Sequence, residues 1–299
     1  MMRILPLSSD SMGARSMATL VETKDLRIMI DPGVALGPSR YGLPPHPKEW
    51  ERMEAHWREI VRQASRADLL IVTHYHYDHH NPWEGLEIYE GKIVFVKDPK
   101  RNINQSQRGR ASFFLKQIEG RASVEIADGR SFKEGDTIIE FSKPVFHGTN
   151  SKLGYVIEVF IREGEDSFLF TSDVEGPSLD DQTQFVLERK PKVAMVDGPM
   201  TYMLGYRYSR ASLDASIRNL SSILDAVETL VIDHHLLRDL EWSKKIESVL
   251  NKGREAKKKV ITSNELIDKP LEMLEARRKE LYELYPVDES EMREWKFED

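Results

Sequence analysis

Residues 69–80 read Leu-Leu-Ile-Val-Thr-His-Tyr-His-Tyr-Asp-His-His, an apolar run followed at once by a cluster of histidines. The run Leu69–Val72 is short and rich in large aliphatic residues, which predicts a buried strand. Four of the nine histidines in the 299-residue chain then fall within residues 74–80. Histidines two apart on an extended segment project to one side, and a following turn can bring Asp78 and His79 to a neighbouring point. This loop can serve two adjacent metal positions; the alternative is a polar loop whose histidines are hydrogen-bonded locally.

The absence of cysteine limits the chemistry of any metal site. The chain has no Cys, which excludes disulfides, thiolate nucleophiles, iron–sulfur clusters and cysteine-type zinc sites. A metal must therefore be held by histidine and carboxylate. A donor set of imidazoles with few carboxylates suits Zn²⁺, and Fe²⁺ or Mn²⁺ remain alternatives because affinity alone does not decide which metal is bound.

Further acidic and histidine residues follow other apolar runs along the chain. They are Asp31 after Ile28-Met29-Ile30, His147 after Pro144-Val145-Phe146, Asp173 after Phe168–Ser172, and His234-His235 after Leu230–Asp233. Together with His-x-His-x-Asp-His at residues 74–79, this ordered set of motifs resembles the metallo-β-lactamase superfamily. The resemblance extends from residue 31 to residue 235. More narrowly, residues 40–46 and 233–239 resemble a branch of predicted hydrolases found mainly in archaea, which implies a fold and a metal site but no substrate.

The resemblance implies an α/β fold, the αββα metallo-β-lactamase sandwich of two mixed sheets flanked by helices. It also implies two divalent metal ions, with zinc as the expected metal. One ion would be held by His74, His76 and His147, and the other by Asp78, His79 and the late histidine, with Asp173 bridging them. Asp31 would hold the histidine loop through hydrogen bonds.

The implied activity is that of a binuclear-metal-dependent hydrolase. A hydroxide held between the metals, and oriented by the catalytic residues Asp78 and Asp173, would attack an ester, a lactone or a phosphodiester. His234 is favoured as the late ligand because it directly follows the strand, and on an extended strand His234 and His235 would point to opposite faces. His235, with Asp233, would then either pass a proton to the leaving group or be structural.

Two loops are candidates for contact with the substrate. Arg40 and Tyr41 follow Asp31, and Tyr206, Arg207 and Tyr208 follow the strand that ends at Asp197. Loops at strand ends near a metal site commonly shape the pocket. It is equally possible from the sequence that these side chains only pack against neighbouring residues and do not contact a substrate.

The charge balance argues against nucleic acid as the substrate. The formal net charge is -7, so no overall positive field attracts a polyanion. A basic run at residues 252–259 is the only feature that favours RNA, and such runs are more often solvated surface. The interval between Asp173 and His234 is also too short for the inserted domain of the superfamily's RNA-processing nucleases. A small-molecule substrate is therefore expected, with a nuclease or phosphodiesterase acting on nucleic acid, or a non-catalytic metal-binding sensor, as alternatives.

The sequence predicts one domain over residues 1–285 and an acidic tail over residues 286–299. No segment has the length and apolar character of a signal peptide or a membrane span, so we expect a cytoplasmic protein with no membrane partner. The oligomeric state is left open. The predicted strands are Met17–Val21, Leu26–Ile30, Leu69–Val72, Ile93–Val96, Thr137–Phe141, Tyr155–Ile161, Phe168–Phe170, Val193–Val196 and Leu230–Ile232. The predicted helices are Pro47–Ala64, Ser106–Ile118, Leu179–Arg189, Ser209–Ala226, Leu240–Leu250 and Asn264–Leu284.

Overall fold

Two β-sheets dominate the computed structural model, which describes residues 2–288 and residue 293. Most of the predicted acidic tail, at residues 289–292 and 294–299, lies outside the described residues. The first sheet has six strands in the order β1-β2-β3-β4-β5-β6. They are β1 (Arg3–Pro6), β2 (Thr19–Glu22), β3 (Arg27–Ile30), β4 (Leu69–Val72), β5 (Ile93–Val96) and β6 (Ser123–Ile126). Strands β1 to β3 are antiparallel, and β3 to β6 are parallel.

The second sheet has seven strands, and a separate two-stranded pair lies beside it. The pair is β9 (Val145–Phe146) with β10 (Tyr155–Val156). The strands of the second sheet, in chain order, are β7 (Ser131–Glu134), β8 (Thr137–Phe141), β11 (Val159–Glu163), β12 (Asp166–Phe170), β13 (Val193–Asp197), β14 (Thr229–Asp233) and β15 (Lys259–Ile261). Their spatial order is β15-β14-β13-β12-β11-β8-β7, and β12 to β15 are parallel.

Eight helices are described, and none of them is long and apolar enough to cross a membrane. They are α1 (Pro47–Ala64), α2 (Gln105–Gln117), α3 (Asp181–Arg189), α4 (Arg210–Ala226), α5 (Trp242–Lys245), α6 (Glu247–Glu255), α7 (Ser263–Leu266) and α8 (Arg278–Leu284). Short 3₁₀ segments occur at Leu86–Tyr89, Ser151–Leu153, Thr201–Met203 and His234–Arg238.

Side-chain alternation along the strands explains the four layers. In the first sheet Ile28 and Ile71 face the second sheet, where they pack with Phe168. Their neighbours on the same strands, such as Leu70, face α1 and α2 and pack against Phe114. The outer face of the second sheet is covered in the same way by α3, α4 and α6. Strands buried on both faces read as continuous apolar runs, and the expected αββα sandwich is confirmed.

The predicted helix over Asn264–Leu284 is wrong. Only α7 and α8 form, because Pro270 cannot continue a helix and Asp268 has a φ of 52°. Between them, the chain pairs with the N-terminal segment at Glu272, whose amide donates to the Ser11 carbonyl at 2.8 Å, and residues 274–277 form a turn. These tertiary contacts override the local helical pattern.

Two other predicted elements are divided. Residues 155–161 form β10, in the two-stranded pair, and β11, in the second sheet, rather than one strand. Between them the Ile157 amide donates to the Thr73 carbonyl at 3.2 Å instead of pairing within either sheet. Residues 240–250 form α5 and the start of α6 rather than one helix. The predicted strands do not include β1, β6, β7, β9 and β15. Of these, β9 is only two residues long, and the other four are partly exposed and lack a continuous buried apolar run.

Candidate metal centre

The segment after β4 turns back on itself immediately after the strand. The His79 amide donates to the His76 carbonyl at 3.0 Å, which closes a tight turn. The turn places the rings of His74 and His79 with their centroids 4.1 Å apart. Tyr75 points the other way, into the core, and its hydroxyl donates to the Lys97 carbonyl. The fourth histidine, His80, also faces the core and lies against Phe114.

One group of potential ligands combines this loop with residues from the second half of the chain. It consists of His74, His76, His147 and Asp173, whose donor atoms all lie within 4.8 Å of one another. Nε2 of His147 is 2.9 Å from Oδ2 of Asp173 and 3.1 Å from Nδ1 of His76. Nε2 of His74 is 3.8 Å from the same Asp173 oxygen.

A second group lies next to the first. Asp78, His79 and His234 form it, again with donor atoms within 4.8 Å of one another. Nε2 of His234 is 3.6 Å from Oδ2 of Asp78 and 3.5 Å from Oδ2 of Asp173. Nε2 of His79 is 3.8 Å from that Asp173 oxygen. Asp173 therefore lies between the two groups, and the seven side chains that the sequence proposed as ligands are brought together.

Two of the ring nitrogens at the centre lack protein partners. Nε2 of His74 and Nε2 of His79 are buried and make no hydrogen bond within the part of the chain that the structure describes. Buried polar atoms are nearly always satisfied, so two orphaned ring nitrogens around one point indicate an ion. The residues present therefore fit a pair of divalent cations.

Buried carboxylates orient two of the rings. Asp31, fully buried, accepts a hydrogen bond from Nδ1 of His79 at 2.8 Å. Asp31 also accepts from the amide of Thr73 at 2.7 Å and from its hydroxyl at 2.6 Å. Asp10 accepts from Nδ1 of His234 at 2.8 Å. Each contact leaves Nε2 of the ring facing the centre, which is the usual arrangement around a metal-binding histidine.

The chain does not stay extended at the two late histidines. Strand β14 ends at Asp233, His234 has a φ of 60°, and a 3₁₀ segment begins there. The expectation that His234 and His235 point to opposite faces is wrong, because the left-handed residue swings both rings toward Asp173. Nδ1 of His235 is 3.2 Å from Oδ1 of Asp173. His235 pairs with Asp197, at 3.0 Å, and not with Asp233.

The electrostatics of the centre keep the rings of His74 and His76 neutral. Burial, reinforced by the neighbouring histidines, lowers the pKa of His74 well below its usual value. Burial and His147 lower the pKa of His76 in the same way. For Asp173, burial favours the protonated form, but His147 and His235 outweigh it and hold its pKa well below its usual value. Neutral imidazole and ionised carboxylate are the forms that bind a metal.

A cavity of about 370 Å³ opens above the centre. His76, Asp78, His147, Asp173 and His235 form its floor.

Of the five residues that the sequence proposed for substrate contact, only Arg207 lines this cavity. Tyr208 is buried and shares a hydrogen bond with the Ser178 hydroxyl at 2.8 Å. Tyr206 is 84% exposed. Arg40 donates to the Arg238 carbonyl at 2.8 Å, and Tyr41 donates to the Ala276 carbonyl at 2.9 Å, so both pack against neighbouring loops.

Sequence reasoning missed three buried residues around the late histidines. Asp10 and Asp197 hold the two rings, and Arg238 donates from Nε to Oδ1 of Asp10 at 2.7 Å. Asp197 ends β13, and an acidic residue after an apolar run is the signal that identified Asp31 and Asp173. Asp10 carries no such signal because its role depends on a contact with a residue more than two hundred positions away.

The basic run at residues 252–259 lies away from the cavity. Lys258 donates from Nζ to the carbonyls of Leu224 and Asp225, each at 2.8 Å, at the end of α4. Lys252 pairs with the Asp225 carboxylate at 2.6 Å. These lysines thus stabilise the carboxyl end of a helix, where cations are favourable.

Comparisons with known proteins agree with this fold. The sequence model of the metallo-beta-lactamase superfamily matches residues 13–231. A UPF0282 protein from Korarchaeum cryptofilum is 94% identical over 298 residues, which is 100% of this chain and 100% of that protein. The structure of an isothiocyanate hydrolase from Delia radicum gut bacteria has a TM-score of 0.52 at 15% identity and covers 84% of this chain and 94% of that chain. A possible metal-dependent hydrolase from Veillonella parvula has a TM-score of 0.52 at 14% identity, covering 87% and 94%. At these identities the two solved structures show the fold alone.

Proposed function

The chain belongs to the metallo-beta-lactamase superfamily and within it to the UPF0282 family, and from this premise we propose that it is a hydrolase that uses two divalent metal ions. The observation that carries the proposal is the pair of orphaned ring nitrogens beside Asp173. One ion would be held by His74, His76 and His147, and the other by Asp78, His79 and His234, with Asp173 shared. Zinc is the proposed metal because imidazole predominates in the donor set, and iron or manganese are the alternatives.

A bound metal pair of this kind lowers the pKa of water and stabilises the oxyanion that forms when a carbonyl or phosphoryl group is attacked. The chain's own residues supply position and proton transfer. Asp78 and Asp173 line the cavity floor, where their oxygens can orient a water molecule toward the substrate. Asp31 and Asp10 fix the rings of His79 and His234 from behind.

We propose that His235 transfers a proton during the reaction. Its Nδ1 is engaged by Asp197 at 3.0 Å, and the side chain lines the cavity. Asp197 therefore fixes the orientation of the ring and leaves Nε2 for a bound molecule, as a carboxylate does for a catalytic histidine elsewhere. We assign His235 the transfer of a proton to the leaving group.

The size of the cavity favours a small substrate. A volume of about 370 Å³ is at the lower end of the range typical of small-molecule sites. The proposed substrates are esters, lactones and phosphodiesters of small molecules. Nucleic acid is disfavoured by the net charge of -7 and by the position of the basic run.

The test is turnover by the metal-loaded protein on a panel of small esters, lactones and phosphodiesters. We expect hydrolysis that is lost on chelation and in His76→Ala, and that is retained in Tyr206→Phe, which alters an exposed side chain. If the protein binds two metal ions but hydrolyses no compound of the panel, the proposed hydrolase function is overturned. The alternative of a non-catalytic metal-binding sensor is then favoured.

A further inference from the structure

The cavity above the metal centre is rich in cations, although the chain as a whole is acidic. Five basic side chains line it, namely Arg15, Arg110, Lys152, Arg207 and Arg238. Its acidic lining consists of Asp78 and Asp173, which belong to the proposed metal ligands, and Glu175. Apart from the proposed ligand carboxylates, the cavity lining therefore carries five basic side chains and one acidic side chain.

Two of these cations are held in place by buried carboxylates. Arg15 makes two hydrogen bonds to Glu275, at 2.6 and 2.8 Å. Arg238 is bound to Asp10 at 2.7 Å. Their charges are balanced within the protein, so they shape the cavity wall rather than offer a free charge to a ligand.

The other three cations make no ion pair within residues 2–288 and 293. Arg110, Lys152 and Arg207 are absent from the salt bridges of that part of the chain. Nη1 of Arg110 is buried and has no hydrogen-bond partner among the same residues. A buried guanidinium nitrogen without a partner is costly, and a bound anion would complete its hydrogen bonding.

These three side chains approach the cavity from separate elements. Arg110 lies on α2, with its guanidinium 4.6 Å from the centre of the Tyr77 ring. Lys152 lies in the 3₁₀ segment Ser151–Leu153, and Arg207 lies in the loop after Thr201–Met203.

The amino end of α2 faces the same space. Asn104 and Ser106, at the start of that helix, also line the cavity, and the first turn of the helix contains no acidic residue. The positive end of a helix favours an anion, so the helix and the three cations act in the same direction.

We propose that the substrate carries a phosphate group that Arg110, Lys152 and Arg207 bind beside the metal centre. This inference rests on the proposed hydrolytic function and names the substrate class: a small phosphorylated ester or lactone. A tetrahedral group with several charged oxygens accepts hydrogen bonds from three directions, whereas a planar carboxylate is matched by a single guanidinium fork.

Binding of inorganic phosphate, measured by isothermal titration calorimetry, tests the inference without turnover. Metal-stripped and metal-loaded wild type would be compared with Arg110→Ala, Lys152→Ala and Arg207→Ala. The matched control is Arg108→Ala, which removes an exposed arginine from the same helix. Because each contact is a charge-assisted hydrogen bond, we expect phosphate to bind even without metal, about 10-fold more weakly in each variant and unchanged in the control.

The results that would contradict the phosphate site differ from the result that would contradict the proposed hydrolase activity. The inference would be overturned if phosphate bound only to the metal-loaded protein and if the three substitutions left its affinity unchanged. The anion would then bind only at the metals. Acetate binding as tightly as phosphate would overturn it in favour of a carboxylate. Metal-independent phosphate binding that depends on these cations supports the site whether or not the substrate panel shows turnover.

Discussion

Asp173 organises the centre because one of its oxygens is the point on which rings from both halves of the chain converge. His74, His79, His147 and His234 each place a nitrogen within 3.8 Å of Oδ2. The seven side chains could be proposed as ligands from the sequence because their motifs, in order along the chain, resemble those of the metallo-β-lactamase superfamily. The roles of Asp10 and Asp197 could not, since nothing local shows which buried carboxylate faces which ring.

The two adjacent late histidines should respond differently to substitution. His234→Ala removes a proposed ligand, so we expect about one metal ion per chain to be lost together with activity. His235→Ala removes the proposed proton donor, so both metals should remain while kcat falls about 100-fold or more. Metal analysis and steady-state kinetics on the two variants measure this. Loss of metal from His235→Ala but not from His234→Ala would reverse the assignment.

A buried glutamate away from the centre should make stability depend on pH. Both carboxyl oxygens of Glu158 are buried without a hydrogen-bond partner among the described residues, and burial raises its pKa well above its ordinary value of 4.5. The folded state therefore keeps the proton while the unfolded chain releases it, so stability falls as pH rises above about 4.5.

Glu158→Gln removes that titration. The variant should match wild type near pH 4 and be at least about 1 kcal/mol more stable at pH 7, since one pKa unit corresponds to about 1.4 kcal/mol. Denaturant unfolding at the two pH values provides the measurement. A difference between the proteins that does not change with pH would contradict it.

Among the helices and strands, continuous apolar runs correctly predict the central strands, whereas the helical pattern near the C-terminus does not predict the structure found there. The central parallel strands are buried on both faces, so their composition alone predicts them. The C-terminal third depends instead on long-range contacts. Arg278 is fully buried and binds Glu49 of α1 with two bonds of 2.8 Å, and no local pattern reveals such a pair.

Removing Arg278 should strongly destabilise the folded protein. Arg278→Ala leaves the buried Glu49 carboxylate without its partner, so we expect a loss of about 3–5 kcal/mol in the free energy of unfolding. The matched control is Arg277→Ala, which removes an exposed partner of Glu280 and should cost less than about 1 kcal/mol. Equal losses in the two variants, measured by denaturant unfolding, would show that the buried pair does not hold α8 on α1.

For the molecule as a whole, the candidate metal centre lies where the two sheets meet. His74, His76, Asp78 and His79 follow a strand of the first sheet, whereas Asp173 and His234 follow strands of the second. The relative position of the two sheets could be expected only from the family resemblance, because the ligands lie far apart along the chain and nothing local brings them together.

Chelation should therefore lower thermal stability. A ligand at 100 times its dissociation constant adds about 2.7 kcal/mol to the folded state, so removing the metals should lower Tm by several degrees. Calorimetry with and without a chelator measures the shift. His76→Ala should show a smaller shift than wild type, and an identical Tm before and after chelation of the wild type would contradict the prediction.

Metal content is the most direct test of the proposed binuclear centre. Elemental mass spectrometry on protein purified without added metal should find close to two divalent ions per chain, zinc before iron or manganese, and clearly fewer in His76→Ala and His147→Ala. Wild-type protein that takes up no stoichiometric metal, even after incubation with zinc, iron or manganese, would contradict the account.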